Sequence, residues 1–116
     1  MKKPELEFTQ VDTVAWTAVD DRCPGLTERI LARDGETEVA TRMLRFAPGT
    51  DTSVLGTMSH EFWEEVYILS GTFHDLELNQ TFTAGSYACR PPGMRHGPWR
   101  SVDGCVTFEV RYPAYR

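Results

Sequence analysis

Cysteine, histidine and basic residues are scarce in this 116-residue chain, and each scarcity removes a class of function. The three cysteines, Cys23, Cys89 and Cys105, are an odd number without C-x-x-C spacing, which argues against a disulfide framework and against a zinc ribbon. They read as free thiols, small hydrophobes expected to be buried or half-buried. Lysine and arginine total 12 against 17 acidic residues, a formal charge of −5, so the chain lacks the electropositive footprint that nucleic acid or anionic lipid requires. No apolar run approaches the roughly 18 residues of a membrane helix, and acidic residues interrupt Met1–Phe8 where a signal peptide needs its hydrophobic stretch. A soluble cytoplasmic protein is expected, with neither nucleic acid nor membrane as partner.

Segments that could hold a long helix are few as well. Pro24-Gly25, Asp34-Gly35, Pro48-Gly49, Ser70-Gly71, Ala84-Gly85, Pro91-Pro92-Gly93 and Asp103-Gly104 cut the chain into short pieces. The composition, 41% hydrophobic and 25% charged, is nevertheless that of a globular chain rather than a disordered one. Its length fits one domain over 1–116, enough to close one core without staples, and excludes two-domain enzymes and (β/α)₈ barrels. Between the breaks lie β-branched and aromatic runs. In Cys105–Tyr112, Val106, Phe108, Val110 and Tyr112 share one face and Thr107, Glu109 and Arg111 the other, the alternation of a half-buried strand. Asp34-Gly35 is the strongest hairpin signal, since Asp-Gly accepts the positive φ angles of a type I′ turn. Several short strands at this spacing predict an antiparallel sandwich or barrel. Residues 1–25 are less regular, an N-terminal arm in which Val11–Val19 around Trp16 could form a strand that covers an edge.

With only His60, His74 and His96 available, a metal site must use most of the histidines or recruit carboxylates. Along Met58–Gly71 the even positions are Met58, His60, Phe62, Glu64, Val66 and Ile68, so in a strand His60 and Glu64 share the apolar face. An imidazole and a carboxylate there are costly to bury unless paired or bound to a cation. A helix would also align His60 with Glu64, but a zincin helix requires a second histidine where Glu64 stands, and the following Val-Tyr-Ile-Leu-Ser-Gly is β-prone.

Downstream, Gly85 to His96 fits G-x5-P-x-G-x2-H without a gap, and His60-x3-Glu64-x6-Gly71 fits H-x3-E-x6-G. With these two motifs in order, the chain resembles the cupin superfamily. The stretch Glu64–Trp99 is similar to the cupin domain of ChrR-type anti-sigma factors and to small metal-dependent dioxygenases that cleave acetylacetone or dihydroxyacetophenone. The resemblance implies an all-β fold, the cupin double-stranded β-helix or jelly-roll-like antiparallel barrel. It also implies a divalent metal ion held by His60, Glu64 and His96, with Fe(II) favoured and Mn, Zn or Ni possible.

The departures carry meaning of their own. Met58 stands where the family has its first histidine, Gly49 lies early for the motif's opening glycine, and Arg100 replaces the closing asparagine. Two imidazoles and one carboxylate form the facial triad of non-haem Fe(II) oxygenases, with open positions for a chelating substrate. Met58, too soft a donor for Fe(II) or Mn(II), is expected to line the pocket rather than to serve as a weak fourth ligand. Trp99 either shapes the pocket mouth or simply packs. His74 has no motif position and is expected at a strand end, and Arg42 at a strand-end solvent position. Trp63 and Tyr67 project from the opposite face, which suggests a homodimer contact. The function expected is a metal dioxygenase acting on a β-dicarbonyl-like or aromatic ketone substrate, with no separate general base evident. A ChrR-like metal- or ligand-binding sensory module without catalysis is the alternative, and the missing histidine also suits a cupin whose site has decayed.

Overall fold

The structure, a computed structural model, describes residues 2–114. Among the described residues nine strands form: β1 (Thr17–Ala18), β2 (Leu26–Arg33), β3 (Ala40–Phe46), β4 (Thr50–Asp51), β5 (Trp63–Asp75), β6 (Gln80–Thr83), β7 (Tyr87–Arg90), β8 (Trp99–Ser101) and β9 (Cys105–Tyr112). All pairings are antiparallel, in the order β1-β2-β3-β9-β5-β8-β4, with β6 and β7 also on β5. This is a curled antiparallel sheet, the all-β architecture expected from the sequence. Among the described residues, no helix is long and apolar enough to cross a membrane.

Strand β5 organises the barrel. Its first half pairs with β7 and β9, and its second half pairs with β6 and β8. A register shift between Ile68 and Ser70 separates the halves and moves the inward set from Glu64, Val66 and Ile68 to Phe73 and Asp75. Gly71 completes the bend with φ 78°, where an added Cβ would collide with the Gly104 carbonyl oxygen. Only glycine fits there.

Because side chains alternate across a strand, the register orders the interior in rows. The lowest row is Leu26, Phe46, Cys105 and Gly71; above it lie Glu28, Leu44, Thr107 and Ile68; then Ile30, Arg42, Glu109, Val66 and Ala88; and at the mouth Arg111, Glu64 and Arg90. The interior is therefore apolar at one end and charged at the other. The apolar end is a cluster of Cys23, Leu26, Leu44, Phe46, Ile68, Phe73, Trp99 and Cys105. Phe46 meets Trp99 edge-on at 6.5 Å, and Phe73 lies 5.8 Å from both rings.

Three expectations are corrected here. The alternation of β9 is as expected, but its buried face is the polar one: Thr107 and Glu109 are 1% and 3% exposed, while Val106, Phe108 and Val110 are half-buried on the outer surface. A barrel that encloses a polar chamber inverts the usual assignment. Asp34-Gly35 does lie between paired strands, yet Gly35 keeps a negative φ and no two-residue turn forms. Asp34 is instead buried, its carboxylate accepting from Thr37 Oγ1 (2.8 Å) and the Lys2 amide (3.1 Å), and its amide donates to Val39 O (2.9 Å). Cys89, on the outward side of β7, is exposed, whereas Cys23 and Cys105 are buried. In the N-terminal arm, Val11–Thr13 is a 3₁₀ turn and the edge strand is shorter than expected, β1 alone pairing with β2.

Gly71→Ala is expected to destabilise the protein by about 2 kcal/mol or more, since it adds left-handed strain to a backbone collision. Chemical denaturation of the two proteins measures this, and an unchanged midpoint would contradict the fit at Gly104.

Candidate metal centre

Glu64 is the first inward side chain of β5, and the register sets it opposite Arg90 on β7 and Arg111 on β9. Arg90 Nη1 donates to Glu64 Oε1 (2.9 Å) and Arg111 Nε to Oε2 (2.8 Å). The carboxylate, 2% exposed, is thus gripped from both neighbouring strands. Burial alone would raise its pKa, but the Arg111 and Arg90 guanidiniums outweigh it and hold the carboxyl well below the usual carboxylate range.

His60 lies just before β5, in neither the strand nor the helix considered for it. Its carbonyl accepts the Gly93 amide (2.7 Å), so the Pro91-Pro92-Gly93 turn anchors the loop that carries it. Its ring stacks on Phe62 at 4.7 Å and 9°. Met58 and His96 form an isolated antiparallel bridge, each amide donating to the other's carbonyl at 2.8 and 2.9 Å. This bridge, rather than a strand shared with His60, puts Met58 beside the site, where it lines the chamber. The His96 ring stacks on Trp99 at 5.5 Å, and its Nδ1 lies 3.1 Å from Met94 O. A carbonyl can only accept, so Nδ1 carries the proton and the Nε2 lone pair faces inward, 4.0 Å from Glu64 Oε1.

The potential ligand atoms of His60, Glu64 and His96 lie within 4.8 Å of one another, close enough for small side-chain rotations to bring them around an ion with bonds of about 2 Å. Their chemistry fits a divalent cation. Burial lowers the pKa of both imidazoles, which keeps them neutral donors at pH 7. Each Glu64 oxygen accepts one arginine N–H and keeps a lone pair.

Around this group is a chamber of about 700 Å³, bounded by Met58, Trp99 and the charged rows below the mouth. Trp99 belongs both to this wall and to the core, so the two readings of it are one arrangement. Arg42 is not at a solvent position. It is half-buried, its side chain 12% exposed, donating to Glu28 Oε1 (2.9 Å) and to Glu109 Oε1 (3.0 Å from Nε), while Thr107 donates to Glu109 Oε2 at 2.9 Å. Its cross-strand partner Glu109 supplies the charge that makes burial tolerable. His74 stays away, bonded to Thr81 and Asn79. Sequence reasoning missed Arg90, Arg111, Glu28 and Glu109. The polar face of β9 pointed to Glu109 and Arg111, but only the register places Arg90 and Arg111 against Glu64.

Residues 5–114 match the family described as the ChrR Cupin-like domain. No curated protein matches the sequence significantly. An RmlC-like cupin from Shewanella frigidimarina has a TM-score of 0.74 at 20% identity, over 100% of this chain and 97% of that one. An acetylacetone dioxygenase from Acinetobacter johnsonii has 0.70 at 18%, over 94% and 75% of the respective chains. The anti-sigma factor ChrR of Rhodobacter sphaeroides, in complex with SigE, has 0.61 at 19%, over 89% of this chain and 51% of that one. At these identities the likeness is one of fold.

Glu64→Leu is expected to cost about 3–5 kcal/mol, because it leaves Arg90 and Arg111 unpaired inside the barrel. The sign with pH follows from the lowered pKa. The ionised carboxylate stabilises the fold fully above its ordinary value of 4.5, and that contribution is lost progressively as pH falls from there through its value in the fold, about 2. Denaturant midpoints of wild type and Glu64→Leu should therefore draw together between about pH 5 and pH 2; a constant difference would contradict the ion-pair assignment.

Proposed function

Since the chain belongs to the ChrR cupin-like domain family, we propose that it is a small metal-dependent enzyme, a non-haem dioxygenase for a β-dicarbonyl-like or aromatic ketone substrate, with His60, Glu64 and His96 as the metal ligands. The observation that carries this reading is the convergence of two neutral imidazoles and one ionised carboxylate at the charged mouth of the barrel. A divalent ion, Fe(II) by preference, would supply Lewis acidity towards a chelated enolate and a route to O₂.

The chain's own residues have separable tasks. His96 is fixed in one tautomer by Met94 O and in one plane by Trp99. Arg90 and Arg111 orient Glu64, and Arg111 gives it only Nε, so the rest of that guanidinium is available to an anionic oxygen in the chamber. The Glu28, Arg42 and Glu109 network ties three strands together below the mouth, its two carboxylates sharing one guanidinium. Met58 occupies wall space without a hard donor, which leaves positions for a bidentate substrate. We also propose a homodimer through the outward face, where Tyr67 and Tyr87 are 45% and 61% exposed beside half-buried Phe108 and Val110. Light scattering at tens of micromolar should report twice the chain mass, and a monomer would contradict it.

The rival reading, a metal- or ligand-sensing module, is favoured by the family match itself. Oxygen uptake by the Fe(II)-loaded protein over acetylacetone and aryl ketones separates the two. Turnover is expected for the enzyme, while metal binding without uptake supports the module. Purified protein should hold about one divalent ion per chain, and the triple alanine variant at His60, Glu64 and His96 none. Retention of stoichiometric metal by that variant would overturn the ligand assignment. Met58→His, placed by the His96 bridge, should raise metal affinity by about tenfold. Unchanged affinity for Fe(II), Mn(II) and Zn(II) would place position 58 outside the ion's reach.

A further inference from the structure

A second cavity, of about 390 Å³, lies behind the metal site. It exists because β5 is shared: β7 follows the first half of β5 and β6 the second, so the two strands diverge at the bend and leave a cleft between them. Val66, Ile68, Phe73, Phe82 and Ala88 line its interior, and Leu78, Tyr87 and Met94, all strongly exposed, stand around its opening. Thr57, Val66, Phe73, Arg90, His96 and Trp99 line both the larger chamber and this cleft. The polar groups at that wall are already engaged. Arg90 donates to Glu64 and lies over the Trp99 ring at 5.2 Å, and His96 Nδ1 faces Met94 O. At the rim, Asp75 Oδ1 accepts the amides of Glu77 and Leu78 at 3.0 and 2.9 Å. Arg95 and Glu77 also line it from the solvent side, so what the interior of the cleft offers a ligand is mainly apolar surface, in a volume within the roughly 300–1,000 Å³ usual for ligand cavities.

We infer that this cleft is a subsite for the aryl or short-alkyl tail of the ligand whose chelating head sits at His60, Glu64 and His96. The inference rests on the proposed metal centre and deepens it: the ligand is a ketone or diketone with an apolar arm, not the bare head group. A head at His96 and a tail past Trp99 occupy adjoining spaces, because both residues face both cavities. Ala88 is the position that controls the tail. It is inward on β7 opposite Val66, lines the cleft and does not line the metal chamber.

The test compares two diketones with the same head, acetylacetone and benzoylacetone, titrated calorimetrically into the Zn(II)-loaded protein. Zn(II) has no redox chemistry, so binding is read without turnover. Benzoylacetone is expected to bind at least about tenfold tighter, the gain from burying a phenyl group. Ala88→Phe fills the cleft and should bring the two affinities within about twofold, with Zn(II) and acetylacetone binding unchanged. If Ala88→Phe fails to melt cooperatively, Ala88→Leu should still reduce the preference. Equal affinities in the wild type, or a full preference retained by a folded position-88 variant, would overturn the subsite. Failure of the wild type to bind Zn(II) would overturn the metal reading and the subsite with it, and the metal titration distinguishes that outcome from loss of the tail preference alone.

Discussion

The grip of Arg90 and Arg111 on Glu64 is the interaction on which the rest of this structure depends. It spans three strands, fixing β7 and β9 against β5 in one register, and it sits where the sheet must stay open to hold a ligand. A lone buried carboxylate would take up a proton and lose its charge. Two guanidiniums prevent that, at a desolvation cost that hydrophobic replacements would avoid. Such a row is poor economy for stability alone, and it makes sense where an anion must stand ready beside neutral imidazoles. The mouth row of two guanidiniums and one carboxylate is already net positive, and a divalent cation would add to that charge, which is why the proposed ligand is an anion such as an enolate.

The same strand that carries Glu64 also divides the interior. Aromatic packing of Phe46, Phe73 and Trp99 closes one end, while acid-base networks line the other. Trp99 joins the two regimes: one side of its environment is core, and the other orients His96. The bend at Gly71 sends β6 away from β7, so the backbone feature that closes the barrel also opens the cleft behind the metal site. Fold and site are thus coupled through β5, and a defect in its bend would be felt at both.

Much of this was legible in the sequence because the motifs encode local requirements. Gly71 marks a left-handed bend, Pro91-Pro92-Gly93 a turn that must clasp the His60 loop, and His96 a ring set just beyond that turn. Strand parity anticipates that His60 and Glu64 come together, although His60 reaches the group from a loop, so the two meet through a geometry other than the expected one. Arg42 was misplaced, and the buried face of β9 left unassigned, for one reason. Alternation reveals two faces, but which face is interior depends on whether the barrel encloses a core or a chamber. Arg90 and Arg111 were invisible because their role exists only across strands distant in sequence. Asp34 misled because an acidic side chain can build a turn by accepting hydrogen bonds as well as by tolerating positive φ.

The central claim is that one divalent ion is held by two imidazole nitrogens and a carboxylate oxygen, with no sulfur. X-ray absorption at the metal edge of the Zn(II)-loaded protein tests it most directly, since nitrogen and oxygen lie at about 2.0–2.2 Å, a sulfur donor lies farther out and scatters more strongly, and imidazole adds characteristic multiple scattering. The account predicts two imidazoles, the remaining ligands oxygen, and the loss of one imidazole in His60→Ala and again in His96→Ala. A sulfur ligand from Met58, or an imidazole count unchanged in either variant, would contradict it.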